Sequence, residues 1–146
     1  MGSQKTRVLF FRRLLKPGAG SNGGNLKLRD CFDHLAQSER FQPHIYFHPD
    51  TVWPENLAGN HWADLRASAL ENWNVQAEDL LFFSGHDWQS LPPEQRVKPP
   101  VPIINIVQPR HVRKQDRRRE FLRYPAIRIA KSEHGASILR KYGVNG

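Results

Sequence analysis

Five short apolar runs, separated by stretches of helical periodicity, constrain the fold of this chain more than any other feature. Each run is too short for a helix and is rich in isoleucine, valine, phenylalanine or leucine. Unbroken apolar runs of this length are typical of strands covered on both faces, as in parallel sheets. The predicted strands are Arg7–Phe11, His44–His48, Asp79–Ser84, Pro102–Val107 and Ala126–Ala130.

Strands that alternate with helices favour βαβ units, and right-handed crossovers then favour a doubly wound sheet. The sequence therefore predicts a Rossmann-like α/β fold. Its five-stranded, mostly parallel sheet is expected in the order 3-2-1-4-5, with helices on both faces. The helical patterns cover Gly24–Ser38, Asn60–Trp73, Asp87–Arg96, Arg110–Arg123 and Ser132–Tyr142.

The size and cysteine content limit the class of protein. A length of 146 residues suits one domain, and Gly143–Gly146 resembles the opening of a linker. No apolar run is long enough to cross a bilayer, and no secretory signal is evident. Cys31 is the only cysteine, which excludes an intramolecular disulfide and a cysteine-rich zinc site. We expect a cytoplasmic protein with no metal site.

A glycine-rich segment between the first strand and the first helix is the strongest candidate for ligand binding. Such a turn brings backbone N–H groups close to an anionic ligand, and the helix N-terminus adds partial positive charge. Gly18, Gly20 and Gly23 also match the dinucleotide fingerprint G-x-G-x-x-G, although six residues separate Gly18 from the strand. The predicted ligand-binding residues here are Gly20, Gly23, Gly24 and Asn25.

A polar rim is predicted at the carboxyl ends of the later strands. In the order 3-2-1-4-5 the switch point falls between strands 1 and 4, so the glycine-rich loop would face Gln108 and His111. His86 and Ser84 follow strand 3, and Glu133 begins the last helix near the same rim. Histidine here suits acid–base work or hydrogen bonding to a polar ligand. Helix capping or strand termination would equally account for Ser84, Gln108 and Glu133.

The charge balance points to an anionic partner. The chain carries a formal net charge of +8, and much of it lies in the basic segment Arg110–Arg123. This segment is either a solvated face or a contact for phosphate groups of anionic lipid or nucleic acid. Base-stacking aromatic residues are not interleaved in it, so nucleic-acid binding is the less favoured reading.

Three pieces of the sequence, in their order and spacing, resemble the N-terminal half of a GT-B glycosyltransferase of the retaining type that uses nucleotide-sugar donors. The first is strand 1 with the glycine-rich loop ending at Asn25 and its helix. The second is strand 4 running into Gln108–His111. The third is Ile127–Leu139, which is similar to the family's last N-domain strand and Ser-Glu helix start. The resemblance covers essentially the whole chain.

The resemblance implies two Rossmann-like domains facing a cleft, of which this chain would be the acceptor-binding one. The donor-binding domain, with its Glu-x₇-Glu pair, is absent from the sequence, so we expect a piece that is inactive alone. Gly23 and Gly24 would approach the donor diphosphate or the acceptor, and His111 or His86 would contact the transferred sugar or acceptor. The family's usual His-Asp or His-Glu after strand 4 is here Gln-Pro-Arg-His.

The expected partners are a nucleotide sugar, as substrate and not as a tightly bound cofactor, and a sugar or lipid-linked acceptor. An anionic membrane surface could also engage Arg110–Arg123, making the protein peripheral. Two rival hypotheses remain: a stand-alone dinucleotide-binding module and a basic anion-binding module.

Overall fold

The fold is α/β, as the sequence predicts. A computed structural model describes residues 4–16 and 23–144. Its strands are β1 (Thr6–Arg12), β2 (Phe41–Phe47), β3 (Leu80–Ser84), β4 (Ile103–Val107) and β5 (Ile127–Ala130). They form a five-stranded parallel sheet, which confirms the predicted Rossmann-like class.

The predicted strand order 3-2-1-4-5 is wrong, because the sheet runs β2-β1-β3-β4-β5. β4 therefore lies between β3 and β5 and is not a neighbour of β1. The apolar pattern of a strand is local and does not specify its partner. The switch point that the sequence placed between strands 1 and 4 does not exist in this order.

The chain divides into two compact units, Met1–Asp79 and Leu80–Gly146. The prediction of a single domain stays a prediction. In the first unit β1 pairs with β2 from Thr6–Phe41 to Arg12–Phe47, and helix α1 spans Gly23–Ala36. Phe10 from β1 meets Phe32 of α1 edge-to-face, with ring centroids 5.2 Å apart, and fully buried Trp62 packs against both rings.

The second unit contains β3, β4 and β5 with helices α2 (Pro93–Val97) and α3 (Glu133–Lys141). Its core is built around Trp88, whose ring lies 5.5 Å from Phe83 and stacks on Phe121 at an interplanar angle of 13°. Large aromatic side chains of this kind contribute much of the burial energy of a small unit. They also fix the segments that follow β3 and β4.

The amphipathic pattern over Asn60–Trp73 does not form the predicted α-helix. Only a 3-10 helix at Ala63–Ser68 is present. The side-chain oxygen of Asn60 accepts a hydrogen bond from the Trp62 N–H at 2.9 Å, which closes a local turn. Farther on, the Leu70 N–H donates to the Ile45 carbonyl at 2.8 Å, so the backbone there follows β2 instead of continuing a helix.

The basic segment predicted as one helix is two 3-10 helices, Pro109–Val112 and Arg117–Arg123. Asp116 separates them, since it adopts an extended backbone and its carboxylate accepts from the Arg118 N–H at 2.9 Å. The helix predicted at Asp87–Arg96 is likewise divided, into a 3-10 helix at Gly85–Ser90 and the α-helix α2. In both cases a residue with an extended backbone ends the first helix before the next one begins, Arg113 in the basic segment and Leu91 after Ser90.

The predicted last helix is confirmed as α3. Its N-cap is Ser132, whose Oγ accepts the Gly135 N–H at 3.0 Å. Across the part of the chain that the structure describes, no helix has the length and apolar character needed to span a membrane.

Candidate functional site

The carboxyl ends of β3, β4 and β5 bring five predicted site residues to one edge of the second unit. Neighbouring parallel strands end at the same edge, and the register pairs Ser84 of β3 with Ile106 of β4 and Ile106 with Ile129 of β5. The predicted residues at this edge are Ser84, His86, Gln108, His111 and Glu133. We call this edge the rim.

A sharp turn follows β3 and places His86 on the rim. Gly85 has a φ of +55°, a backbone conformation that favours glycine, and Asp87 Oδ2 accepts the Ser84 N–H at 2.9 Å. His86 is exposed, and its ring lies edge-on to Phe121 at 6.2 Å. Partial burial, and secondarily the positive charge of Arg118, lowers the pKa of His86. The neutral imidazole can both donate and accept a hydrogen bond.

The turn after β4 buries His111 instead of presenting it to solvent. His111 is 3% exposed, and its Nδ1 accepts the Gln108 N–H at 3.4 Å. The proton of the neutral ring therefore belongs on Nε2, which has no partner among the described residues. Burial, then the charge of Arg118, lowers the pKa of His111 to about 4. His111 thus shapes the turn that carries Gln108, and it lies inside the protein rather than on its surface.

Helix α3 packs closely against that turn. A Cβ added at Gly135 would lie 3.4 Å from Cγ of Pro109 and 3.4 Å from the Ser132 hydroxyl. The absence of a side chain at Gly135 therefore lets the first turn of α3 approach the residues after β4. Glu133 is exposed in that same first turn of α3.

A bidentate ion pair anchors the segment that follows His111. Arg118 donates from Nε to Asp116 Oδ1 at 2.9 Å and from Nη2 to Asp116 Oδ2 at 2.6 Å. This hydrogen bonding holds the pKa of Asp116 well below its usual range. The Arg118 side chain also crosses over Gly85, with its Cδ 3.5 Å from the position of an added Cβ. The turn after β3 and the basic segment are thereby joined.

A basic crevice opens beside the rim, with a volume of about 570 Å³. Its floor includes Phe121, which is 5% exposed and stacked on the core. The charged side chains that surround it, with His86, are Lys114, Asp116, Arg117, Arg119, Glu120 and Arg123. Its net charge with a neutral His86 is therefore positive, which suits an anionic ligand.

The glycine-rich segment belongs to the first unit, and only part of it can be described. Gly20 lies outside the described residues. Gly23 and Gly24 begin α1. Asn25 is 7% exposed, and its side-chain oxygen accepts from Arg12 Nη1 at 3.0 Å and from the indole nitrogen of Trp62 at 2.9 Å. The Asn25 side chain thus ties the start of α1 to β1 within the core.

Within the described ranges, 4–16 and 23–144, no group of three or more His, Cys, Asp or Glu side chains could hold a metal ion. The absence of a metal site stays a prediction.

The rim itself offers an exposed histidine, a buried histidine, an amide, a hydroxyl and a carboxylate. These groups can hydrogen-bond a polar ligand, and His86 can accept a proton from it or donate one to it.

Sequence reasoning missed Asp116, Arg118 and Phe121 as residues that shape this region. Asp116 is the first of only two acids in a basic segment, and that isolation is the signal that marks it as a capping and pairing residue. Phe121 carried no such signal, because its contact with His86 depends on the fold of the segments after β3 and β4.

No protein-family model, curated protein or solved structure matches the chain.

Proposed function

We propose that this chain is the acceptor-binding domain of a glycosyltransferase that transfers a sugar from a nucleotide-sugar donor. The observation that carries the proposal is the rim, where His86, Gln108 and Glu133 follow the carboxyl ends of three adjacent parallel strands. Open α/β sheets bind their ligands outside these ends. The reaction class comes from the sequence resemblance alone.

In this proposal the rim binds the acceptor. His86 is exposed, neutral and held in place by its ring contact with Phe121, so it can accept a proton or a hydrogen bond from an acceptor hydroxyl. Gln108 and Glu133 offer further hydrogen-bonding groups to sugar hydroxyls. His111 acts as a positioning residue, because its Nδ1 fixes the Gln108 backbone.

The glycine-rich segment contributes backbone N–H groups to the departing diphosphate. Gly23 and Gly24 stand in the first turn of α1, where N–H groups lack intrahelical partners and the helix dipole favours an anion. Catalysis would be mostly positioning and electrostatic stabilisation. A donor-binding domain in the complete enzyme would hold most of the nucleotide sugar.

The test is a titration of the isotope-labelled chain with nucleotide sugars and with candidate acceptor sugars, followed by NMR. We expect saturable shifts at His86, Gln108 and Glu133 with an acceptor sugar and at Gly24 with a nucleotide diphosphate. His86→Gln is compared with the matched control His34→Gln, since His34 is exposed on α1 of the first unit, whereas the rim belongs to the second unit. His86→Gln should weaken acceptor binding and His34→Gln should not.

Two outcomes would overturn the proposal. The first is tight one-to-one binding of NADH, which would favour the dinucleotide-binding module. The second is the absence of any shift at the rim across the panel of sugars while the chain remains folded. In the complete enzyme, a bulky residue in place of Gly24 should sharply reduce transfer, and unchanged turnover would remove that glycine from the mechanism.

A further inference from the structure

Three of the cations that line the basic crevice have no acidic partner, whereas two arginines of the first unit pair with acids. Arg7 pairs with Asp79, and Arg29 pairs with Asp33 and Asp64. In the described part of the chain, Lys114, Arg117 and Arg119 make no ion pair or side-chain hydrogen bond. Three uncompensated positive charges thus fall within six residues of sequence and line the same crevice.

The two acids that line the crevice do not neutralise these cations. Both oxygens of Asp116 are engaged by Arg118, as described above. Glu120 accepts from Arg123 and from the Tyr124 hydroxyl, each at 3.4 Å. The charge that remains over the crevice is therefore that of Lys114, Arg117 and Arg119. Bringing like charges together costs free energy that a bound anion would offset.

The crevice is built on a rigid base. Its floor residue Phe121 stacks on Trp88 in the core, and the Asp116–Arg118 pair fixes the segment that carries the cations. Arg96 lies with its guanidinium carbon 5.8 Å from the Phe121 ring centroid, which adds packing below the floor. The cationic side chains consequently extend from a backbone that is held in place before any ligand arrives.

The dimensions and lining favour a small ligand over a polymer. A volume of about 570 Å³ falls in the range of small-molecule sites. The aromatic side chain in the lining, Phe121, is 5% exposed and offers no open face on which a base could stack. His86, at the inner wall, can hydrogen-bond a hydroxyl group.

We propose that the crevice binds the phosphate group of a small phosphorylated sugar, with Lys114, Arg117 and Arg119 contacting the phosphate oxygens and His86 a sugar hydroxyl. The inference rests on the proposed function, within which it identifies the acceptor as a phosphate-bearing one. The same phosphate chemistry occurs in soluble sugar phosphates and in lipid headgroups. The crevice is assigned to the soluble form, and the experiment separates the two.

The experiment is calorimetric titration of the chain with inorganic pyrophosphate, glucose 6-phosphate and uncharged glucose at low salt, where surface charges are least screened. We expect saturable binding of the two phosphates and none of glucose at the same concentrations. The triple substitution Lys114→Gln, Arg117→Gln and Arg119→Gln should raise the Kd for pyrophosphate by about tenfold or more.

The matched control removes the same charge elsewhere in the second unit. Lys98, Arg140 and Lys141 are exposed and do not line the crevice, so their joint replacement by glutamine should change the Kd by less than about twofold. Thermal melting of both triple variants verifies folding. In the wild-type chain, the Nε–H signals of Arg117 and Arg119 should shift on addition of pyrophosphate, which gives a readout independent of any variant.

Three outcomes would overturn this inference. They are no saturable binding of either phosphate, an equal loss of binding in both triple variants, and binding to phosphatidylglycerol vesicles without binding to soluble phosphates. Its failure is distinguishable from failure of the proposed function. If only the crevice assignment is wrong, an uncharged acceptor sugar should still shift the NMR signals of the rim residues in the triple variant of the crevice.

Discussion

Arg118 and Asp116 form a bidentate pair in which two guanidinium nitrogens reach both carboxylate oxygens, at 2.9 and 2.6 Å. The same carboxylate caps the following 3-10 helix by accepting the Arg118 N–H. One side chain therefore starts the second basic 3-10 helix and fixes the arginine that crosses Gly85.

Replacing Asp116 should separate its two roles. Asp116→Ala removes both the cap and the ion pair, and we expect a loss of about 1.5 kcal/mol in the free energy of unfolding, mostly from the cap. Asp116→Asn keeps an acceptor for the Arg118 N–H and should lose about half as much. Urea denaturation measures both values. Equal losses for the two variants would show that the charge, and not the cap, supplies the stability.

The stability of the protein should fall as the pH is lowered from about 6.5 to about 4, because His111 stays neutral in the folded chain over this window. The unfolded chain binds a proton there that the folded chain does not, so stability rises with pH across the window. The lowered pKa values of His44 and His86 act in the same direction.

His111→Phe should flatten this pH dependence more than His86→Phe does, since His111 is the more deeply buried. The measurement is the urea midpoint at a series of pH values, with His34→Gln as an exposed control. An unchanged slope in His111→Phe would contradict the assignment of a neutral, buried imidazole.

Gly85→Ala should destabilise the protein by about 1 to 2 kcal/mol through the backbone alone. The φ of +55° is unfavourable for a residue with a Cβ, while the added carbon would meet only Arg118 Cδ at an ordinary 3.5 Å. Gly85→Asn should lose less, because asparagine tolerates this conformation. Thermal unfolding compares the two. A larger loss for Asn than for Ala would point to crowding rather than to backbone strain.

Asn25→Ala should cost about 2 kcal/mol or more in the free energy of unfolding, even with no ligand present. It removes an acceptor shared by the buried Arg12 guanidinium and the Trp62 indole. Asn74→Ala, at an exposed position, is the control and should be close to neutral. If Asn25→Ala were as stable as wild type, its side chain would be available for the ligand role that the sequence suggested.

Strands β1, β3 and β4 were predictable because a strand that is buried along most of its length has a continuous apolar run in its sequence. The predicted Arg7–Phe11 and Pro102–Val107, for example, lie within one residue of β1 and β4 at each end. The order of the strands was not predictable in the same way, since β3 and β4 pair through contacts between residues more than twenty positions apart. The apolar pattern of a strand does not specify which strand lies next to it in the sheet.

The helices show where local patterns mislead. Trp62 and Leu65 have the spacing of one helix face, yet the Asn60 side chain and the Leu70–Ile45 hydrogen bond impose a different backbone. At the site, position after a strand predicted His86 and Gln108, which do follow β3 and β4, while their role in binding stays a prediction. The burial of His111 could not be foreseen, because it depends on how the turn after β4 packs within the fold.

The contact between Gly135 and Pro109 ties together two positions that are distant in sequence. A Cβ at position 135 would already touch the proline ring at 3.4 Å, so a side chain larger than that of alanine would have little room unless position 109 became smaller or the helix moved outward. Natural selection acting on this protein should therefore treat the two positions as a pair. Among descendants of a common ancestor that keep this packing, a change at one of them is expected to be accompanied by a compensating change at the other.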